Sequence, residues 1–382
     1  MPTAVNELPI ARRAPARRVT PRERFDRNVV CVLGLPFDVI ALDETVHRLR
    51  EAALSRTRCF VSTPNLNFVI AARSDADFRG SVLRSDLSLA DGAPLIWVAR
   101  LLGLSLPGRV AGADVFEALR RHTGQSLGVF FFGGQAGAAE AACRNLNSTS
   151  GGLHCVGFDS AGFGSLEEMS DPKRIASIND SGADFVVVAL GAKKGQAWIE
   201  RNADTLDAPL LCHLGAVVNF VAGTVNRAPS WAQRIGFEWL WRIKEEPELW
   251  RRYRGDGIRF LGLMAAKVVP LALSTRFRGS RIEATIDSSI AVDGELRITL
   301  KGTFRRADLS RLRSLLSEAQ TRGQCLRIDM SRVIEIDTAL LGLLLLAAGS
   351  FGAEYLKIVG VHRRLRKQFR RHAASFLIGD WA

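Results

Sequence analysis

Asp91 stands between an apolar run and the start of a helical pattern, with Gly92 behind it to let the backbone turn. A carboxylate so placed can take a proton from a hydroxyl as a general base, or it can cap the helix that follows. Thr63-Pro64-Asn65 closes an earlier apolar run, and Pro64 forces an extended turn there. The two short polar side chains of that turn can hold hydroxyl or phosphate oxygens; a turn without a ligand would look the same. Arg109, Gly112 and Asp114 come next. Arginine pairs with phosphate bidentately, and Asp114 can cap its helix or bind a hydroxyl. Gly133-Gly134 follows Val129–Phe132 and opens another helical pattern. Such a turn suits a diphosphate, because free backbone N–H groups and the helix dipole favour negative charge, but any strand-to-helix turn can need glycine. Lys193, Lys194, Gln196, Asn219, Arg227, Arg251 and Arg252 complete the polar set. Activating a hydroxyl and stabilising a departing phosphate are the chemistries these residues offer.

The elements that must carry them alternate. Strands are predicted at 29–34, 58–62, 86–90, 127–132, 153–157, 184–190 and 209–214. Helical patterns at 43–55, 65–73, 92–103, 113–123, 135–147, 171–180 and 194–204 separate them. This order implies a largely parallel sheet flanked by helices, with ligand loops at strand ends. After Ala216 only helices are predicted, rich in Trp and Arg, and the basic stretch 275–281 reads as a linker. From Ile282 a smaller α/β unit begins, with strands near 283–292, 295–302, 325–330 and 355–360 and helices at 308–322, 338–349 and 362–373. Residues 1–27, rich in Pro and Arg, read as a disordered basic arm. The expected division is therefore 1–27 arm, 28–226 α/β domain, 227–274 helical tail, 275–281 linker and 282–382 second domain.

With 47% hydrophobic residues, the 382-residue chain can bury sizeable cores. Its six cysteines show no CxxC pair and no neighbouring His cluster, which points to reduced thiols in a cytosolic setting rather than a disulfide framework or a zinc site. The net charge of +13 is concentrated at 11–27, 242–281 and 363–371. Basic clusters attract polyanions, and anionic lipid fits better than nucleic acid because no nucleic-acid-binding motif accompanies the charge. No apolar run is long enough to cross a membrane; Val29–Leu42 and Phe260–Leu273 are short and interrupted.

Thr63-Pro64-Asn65, Ala90-Asp91-Gly92, Arg109 with Gly112 and Asp114, Gly133-Gly134 and Arg227-Ala228-Pro229 occur in that order. The set, with Gly236–Arg242, Glu246-Pro247 and Trp250–Tyr253 behind it, resembles the WecG/TagA/CpsF glycosyltransferases, over about 230 residues. The resemblance implies a Rossmann-like domain with a helical, membrane-facing tail. It also implies inverting, metal-independent transfer from a UDP-sugar to a polyprenyl-diphosphate-linked saccharide, in capsule, exopolysaccharide or cell-wall polymer assembly. No cofactor is implied. Asp91 is then the base, with Thr63 and Asn65 beside it. Arg109, Asp114, Gly133, Gly134, Gln196, Asn219, Arg227, Arg251 and Arg252 bind donor or acceptor. The protein would sit peripherally on the cytoplasmic membrane's inner, anionic face and would self-associate. Asp75-Ala76-Asp77 spells the triplet of metal-dependent transferases, but at the end of a helical run it reads as a solvated turn. The family's Gly-x-Pro-Lys-Gln-Glu-like segment is Gly191–Gln196 here, with Gly195 at the Gln position, and Asn219 replaces a common Asp.

Asp329-Met330-Ser331 and Ile336-Asp337-Thr338-Ala339-Leu340-Leu341-Gly342 resemble a STAS domain. The resemblance implies a protein partner for residues 282–382 and a phosphorylation site at Thr338; capping of its helix is the plainer reading of that threonine. A decayed transferase acting as a regulatory scaffold through this domain is the alternative function.

Overall fold

A computed structural model describes residues 14–379 except 161, 163, 230–231, 233–237, 246–248 and 277–281. Its strands, in chain order, are β1 (Val29–Val32), β2 (Leu35–Asp38), β3 (Cys59–Ser62), β4 (Leu87–Ser88), β5 (Leu127–Gly133) and β6 (Leu153–Asp159). They continue with β7 (Phe185–Ala189), β8 (Leu210–His213), β9 (Thr285–Ile290), β10 (Leu296–Thr303), β11 (Leu326–Glu335) and β12 (Leu356–Val359). The chain forms two compact units, one of Met1–Arg18, Leu42–Thr63 and Gly112–Arg227, the other of Val19–Ala41, Pro64–Ala111 and Ala228–Ala382. This division does not follow the linker expected at 275–281, most of which lies outside the described residues.

In the first unit the strands run β3-β8-β7-β5-β6, all parallel. β5 and β7 are near-continuous apolar runs, Leu-Gly-Val-Phe-Phe-Phe-Gly and Phe-Val-Val-Val-Ala, because helices cover both faces of a parallel sheet. β6, at the sheet's edge, is buried only at Leu153 and Cys155. Trp198, on the helix Ala192–Asn202, stacks on Phe132 with ring centroids 4.2 Å apart, and its indole N–H donates to the Met169 carbonyl. Cys143 and Cys155 form a disulfide, against the expectation of reduced thiols throughout. The helix Ala138–Asn147 packs beside β6, so residues twelve apart in sequence bring their Cα atoms to 5.2 Å.

The second unit holds the antiparallel hairpin β1–β2 and a four-stranded sheet, β12-β11-β10-β9, parallel except at β9. Positive φ at Leu33 and Gly34 turns the single strand expected at 29–34 into that hairpin. Around the small sheet lie the helices Ser310–Thr321, Thr338–Tyr355 and Arg363–Arg371. Their core includes Leu340, Leu344 and Phe369, joined by Phe25, Val29, Cys31 and Leu83 from far upstream. The basic arm is thus part of the fold from its later residues. Thr20 caps the helix Pro21–Phe25 in a reciprocal capping box, and Phe25 is fully buried, whereas residues 1–13 lie outside the described residues. Asp75 is not a solvated turn either: it caps the helix Ala76–Arg84 by accepting from the Phe78 N–H at 2.9 Å. One helix among the described residues, Thr338–Tyr355, has the length and composition to cross a membrane, and it is largely a core helix of this unit.

Candidate active site

In the second unit, β4 leads into Asp91. The Asp91 N–H donates to the Pro64 carbonyl at 3.0 Å, and the Val110 N–H donates to the Ala90 carbonyl at 2.9 Å. The first bond ties the Asp91 loop to Pro64, and the second ties it to the segment around Val110. Gly92, not Asp91, is the N-cap residue of the helix Ala93–Leu101. The N-cap position that sequence allowed for Asp91 is therefore taken by Gly92. Asn65 does cap: its Oδ1 accepts from the Phe68 N–H at the start of the helix Leu66–Ser74. Arg109 is ion-paired with Glu238 of the helix Glu238–Glu245. Asn67 donates to the buried Asp256 at 3.2 Å, tying the Leu66–Ser74 helix to the helix Leu249–Leu263, on which Arg251 is exposed and Arg252 also lies. Of the tail motif, Gly236, Phe237, Glu246 and Pro247 lie outside the described residues.

Behind Asp91 sits a charge pair that motif reading missed. Arg27 donates through Nε and Nη2 to Asp38, at 3.1 and 2.6 Å, and both side chains are buried. Asp38 Oδ2 also accepts from the Ser88 N–H at 2.7 Å, and Arg27 Nη1 donates to the Ser85 carbonyl at 2.7 Å. The available signal was an aspartate inside the apolar run Val29–Leu42: a buried carboxylate demands a cation and N–H donors.

In the first unit, Thr63 follows β3 and is buried. A side-chain carbon added at Gly112, where the helix Gly112–Arg121 begins, would come within 3.3 Å of its methyl group. Asp114, in the first turn of that helix, is ion-paired with Arg227. Gly133 and Gly134 have φ of 89° and 92°, a backbone that side chains strain against, and the Gly134 N–H donates to the Ala189 carbonyl at 2.9 Å. The next helix starts only at Ala138, later than expected. Gln196 is 0% exposed and donates to the Ser62 hydroxyl at 2.8 Å, next to Thr63. At Gly195 a side-chain carbon would meet the His213 ring at 2.3 Å, so the histidine fills the space beside this glycine. Asn219 is half-buried on the helix Gly215–Ala222. Thr63, Gly133-Gly134, Gln196 and His213 therefore all lie at or just past the carboxyl ends of β3, β5, β7 and β8, where open α/β sheets bind ligands.

Thr338, in the second unit, is 8% exposed and is the first residue of its helix. The cap is Asp337, whose Oδ1 accepts from the Leu340 N–H at 2.8 Å, not Thr338.

A profile described as the Glycosyl transferase WecG/TagA/CpsF family matches residues 30–272, and one described as Mlab, STAS domain, matches residues 290–375. A protein of Bacillus spizizenii is 27% identical over 194 residues, covering 50% of this chain and 74% of its own length. One of Bacillus subtilis is 28% identical over 194 residues, covering 50% and 73%. Both are named N-acetylglucosaminyldiphosphoundecaprenol N-acetyl-beta-D-mannosaminyltransferase. With a flanked parallel sheet and then a smaller α/β sheet domain, the chain belongs to the WecG/TagA/CpsF family of glycosyl transferases, joined to a STAS domain.

Proposed function

We propose that this glycosyltransferase moves a sugar from a UDP-sugar to a polyprenyl-diphosphate-linked saccharide, with inversion and without a metal ion, in cell-wall polymer synthesis. The observation that carries the reading is the Asp91 loop: its backbone is pinned to Pro64, and the helix start behind it is capped at Gly92. Asp91 takes the proton of an acceptor hydroxyl as its oxygen attacks the anomeric carbon. The bond from that carbon to the diphosphate oxygen breaks, and UDP departs from the opposite face. Arg109, Arg227, Arg251 and Arg252 neutralise phosphates on donor or acceptor, the first two exchanging Glu238 and Asp114 for them. Thr63, Asn65, Asp114 and Asn219 contact hydroxyls, and Gly133-Gly134 and Gln196 border the nucleotide. The names of the two Bacillus relatives support the acceptor class.

The acceptor lipid lies in a membrane, and the tail supports a peripheral contact with an anionic surface. Ile258 and Leu261 are 65% and 69% exposed, with Val269 and Leu273 also outward and Arg251, Arg254 and Arg259 nearby.

The test is transfer from a panel of UDP-sugars, UDP-N-acetylmannosamine among them, to polyprenyl-diphosphate N-acetylglucosamine in detergent with EDTA. Product is expected from at least one donor, and Asp91→Asn should lower turnover about 10²–10⁴-fold with the fold retained. Near-normal turnover in Asp91→Asn would remove Asp91 from the role of base.

A further inference from the structure

We infer that the STAS domain is the positioning element for Asp91, so that residues of a domain with no part in sugar transfer govern its rate. The inference rests on Asp91 being the base. The segment that runs into Asp91 is held by the STAS domain, directly and through the N-terminal helix and hairpin. A side-chain carbon added at Gly349 would lie 2.3 Å from the Leu83 carbonyl oxygen, so the Thr338–Tyr355 helix touches the end of the Ala76–Arg84 helix backbone to backbone. One added at Gly342 would lie 2.9 Å from the Val29 carbonyl oxygen. The Arg79 guanidinium sits over the Phe376 ring, 4.2 Å from its centroid.

The polar connection is continuous. Arg313, on the Ser310–Thr321 helix, donates through one nitrogen to the carbonyls of Phe25 and Arg27, the latter at 2.6 Å. Arg27 in turn holds the Ser85 carbonyl and Asp38, and Asp38 holds the Ser88 N–H. Arg27, Asp38, Ser85 and Ser88 are all buried, so water cannot replace a lost partner. Ser88 is the last residue of β4, and Asp91 follows three positions on. Loss of Arg313 frees the Phe25–Arg27 turn, re-aims the buried pair and releases the strand that presents the carboxylate. Proton abstraction is sensitive to such shifts, since a displacement of about 1 Å costs about 10²-fold in rate. The helix face that bears Gly342 and Gly349 is covered by this chain's own β1 and Ala76–Arg84 helix, which gives the domain an internal occupant.

The experiment uses the full chain with Arg313→Ala, Arg313→Lys, Gly349→Ala and Asp91→Asn, reading kcat, KM for the donor and amide hydrogen exchange over residues 85–91. Arg313→Ala should lower kcat at least about ten-fold, leave KM within about two-fold and speed exchange in that segment. Arg313→Lys, which keeps a donor for the two carbonyls, should restore most of kcat. Should Arg313→Ala not fold, Gly349→Ala carries the test, with the same split between kcat and KM expected. Wild-type kcat in a folded Arg313→Ala or Gly349→Ala protein overturns the inference, as does a loss in KM alone. Full turnover in Asp91→Asn instead defeats the assignment of the base, whatever the Arg313 variants do.

Discussion

Two long helical segments of this chain, one apolar and one amphipathic, meet opposite fates. Thr338–Tyr355 is buried without interruption from Thr338 to Ala347. The tail helix Leu249–Leu263 passes through a π-helical turn, Met264–Val268, into Val269–Arg276, and it leaves Ile258, Leu261, Val269 and Leu273 exposed. By composition the first is the stronger membrane candidate, yet it is the core helix. The cause is steric: Gly342 and Gly349 let the backbones at Val29 and Leu83 come close enough to cover it. Among the described residues the tail buries Asp256, Leu263, Val268, Leu271 and Ala272, and Arg251, Arg254 and Arg259 are exposed along with Ile258 and Leu261. Apolar content marks a helix that must be covered; the packing partners decide by what.

The contrast breaks most severely at Leu344. Leu344→Asp buries a charge with no partner and should cost more than about 4 kcal/mol, read as loss of cooperative thermal unfolding. The equivalent change in the tail, Ile258→Asp with Leu261→Asp, should leave melting within about 0.5 kcal/mol of wild type. It should instead weaken binding to anionic vesicles by about ten-fold or more, measured by flotation, since apolar burial drives such contacts. An unaltered partition would remove the tail from the membrane contact.

Gly342→Leu is the next largest, at about 1–3 kcal/mol, because the new side chain meets the Val29 carbonyl. Cys31, on β1, reports the same contact. Burial pushes its thiol up to about 12, so it stays protonated and unreactive near neutral pH. Alkylation followed by peptide mapping should label exposed Cys325 and spare Cys31 in the wild type, and label both in Gly342→Leu. The smallest effect is on alkaline stability. In the unfolded chain the Cys31 thiol ionises near 9.0, but in the folded chain only near 12. Below pH 9 the group is neutral in both states and contributes nothing; between about pH 9 and 12 stability falls. Cys31→Ala should flatten that part of the profile, and an unchanged slope would mean the thiol is accessible.

The parallel sheet was legible because its strands are apolar on both faces, as β5 and β7 are, and each ends in a polar or glycine signature. Asp91, Asn65 and Gly133-Gly134 were legible as turn residues for the same reason. The Cys143–Cys155 bond, the Arg109–Glu238 pair and the Arg27–Asp38–Ser88 network were not. Each joins residues whose types carry no spacing rule, and Arg27 read as one more charge in a basic arm. Asp75 was misread because one residue ends one helix and caps the next, which looks like a polar break.

The sequence by itself determined the family, the α/β alternation, the STAS domain and the polar residues at strand ends, since these depend on local periodicity and short motifs. Only the tertiary structure decided that Gly92 caps in place of Asp91, that His213 fills the space beside Gly195, and that the arm, the hairpin and the Thr338 helix form one core. Those outcomes depend on which buried charges find partners and which backbones have room to touch, and both are properties of distant segments brought together.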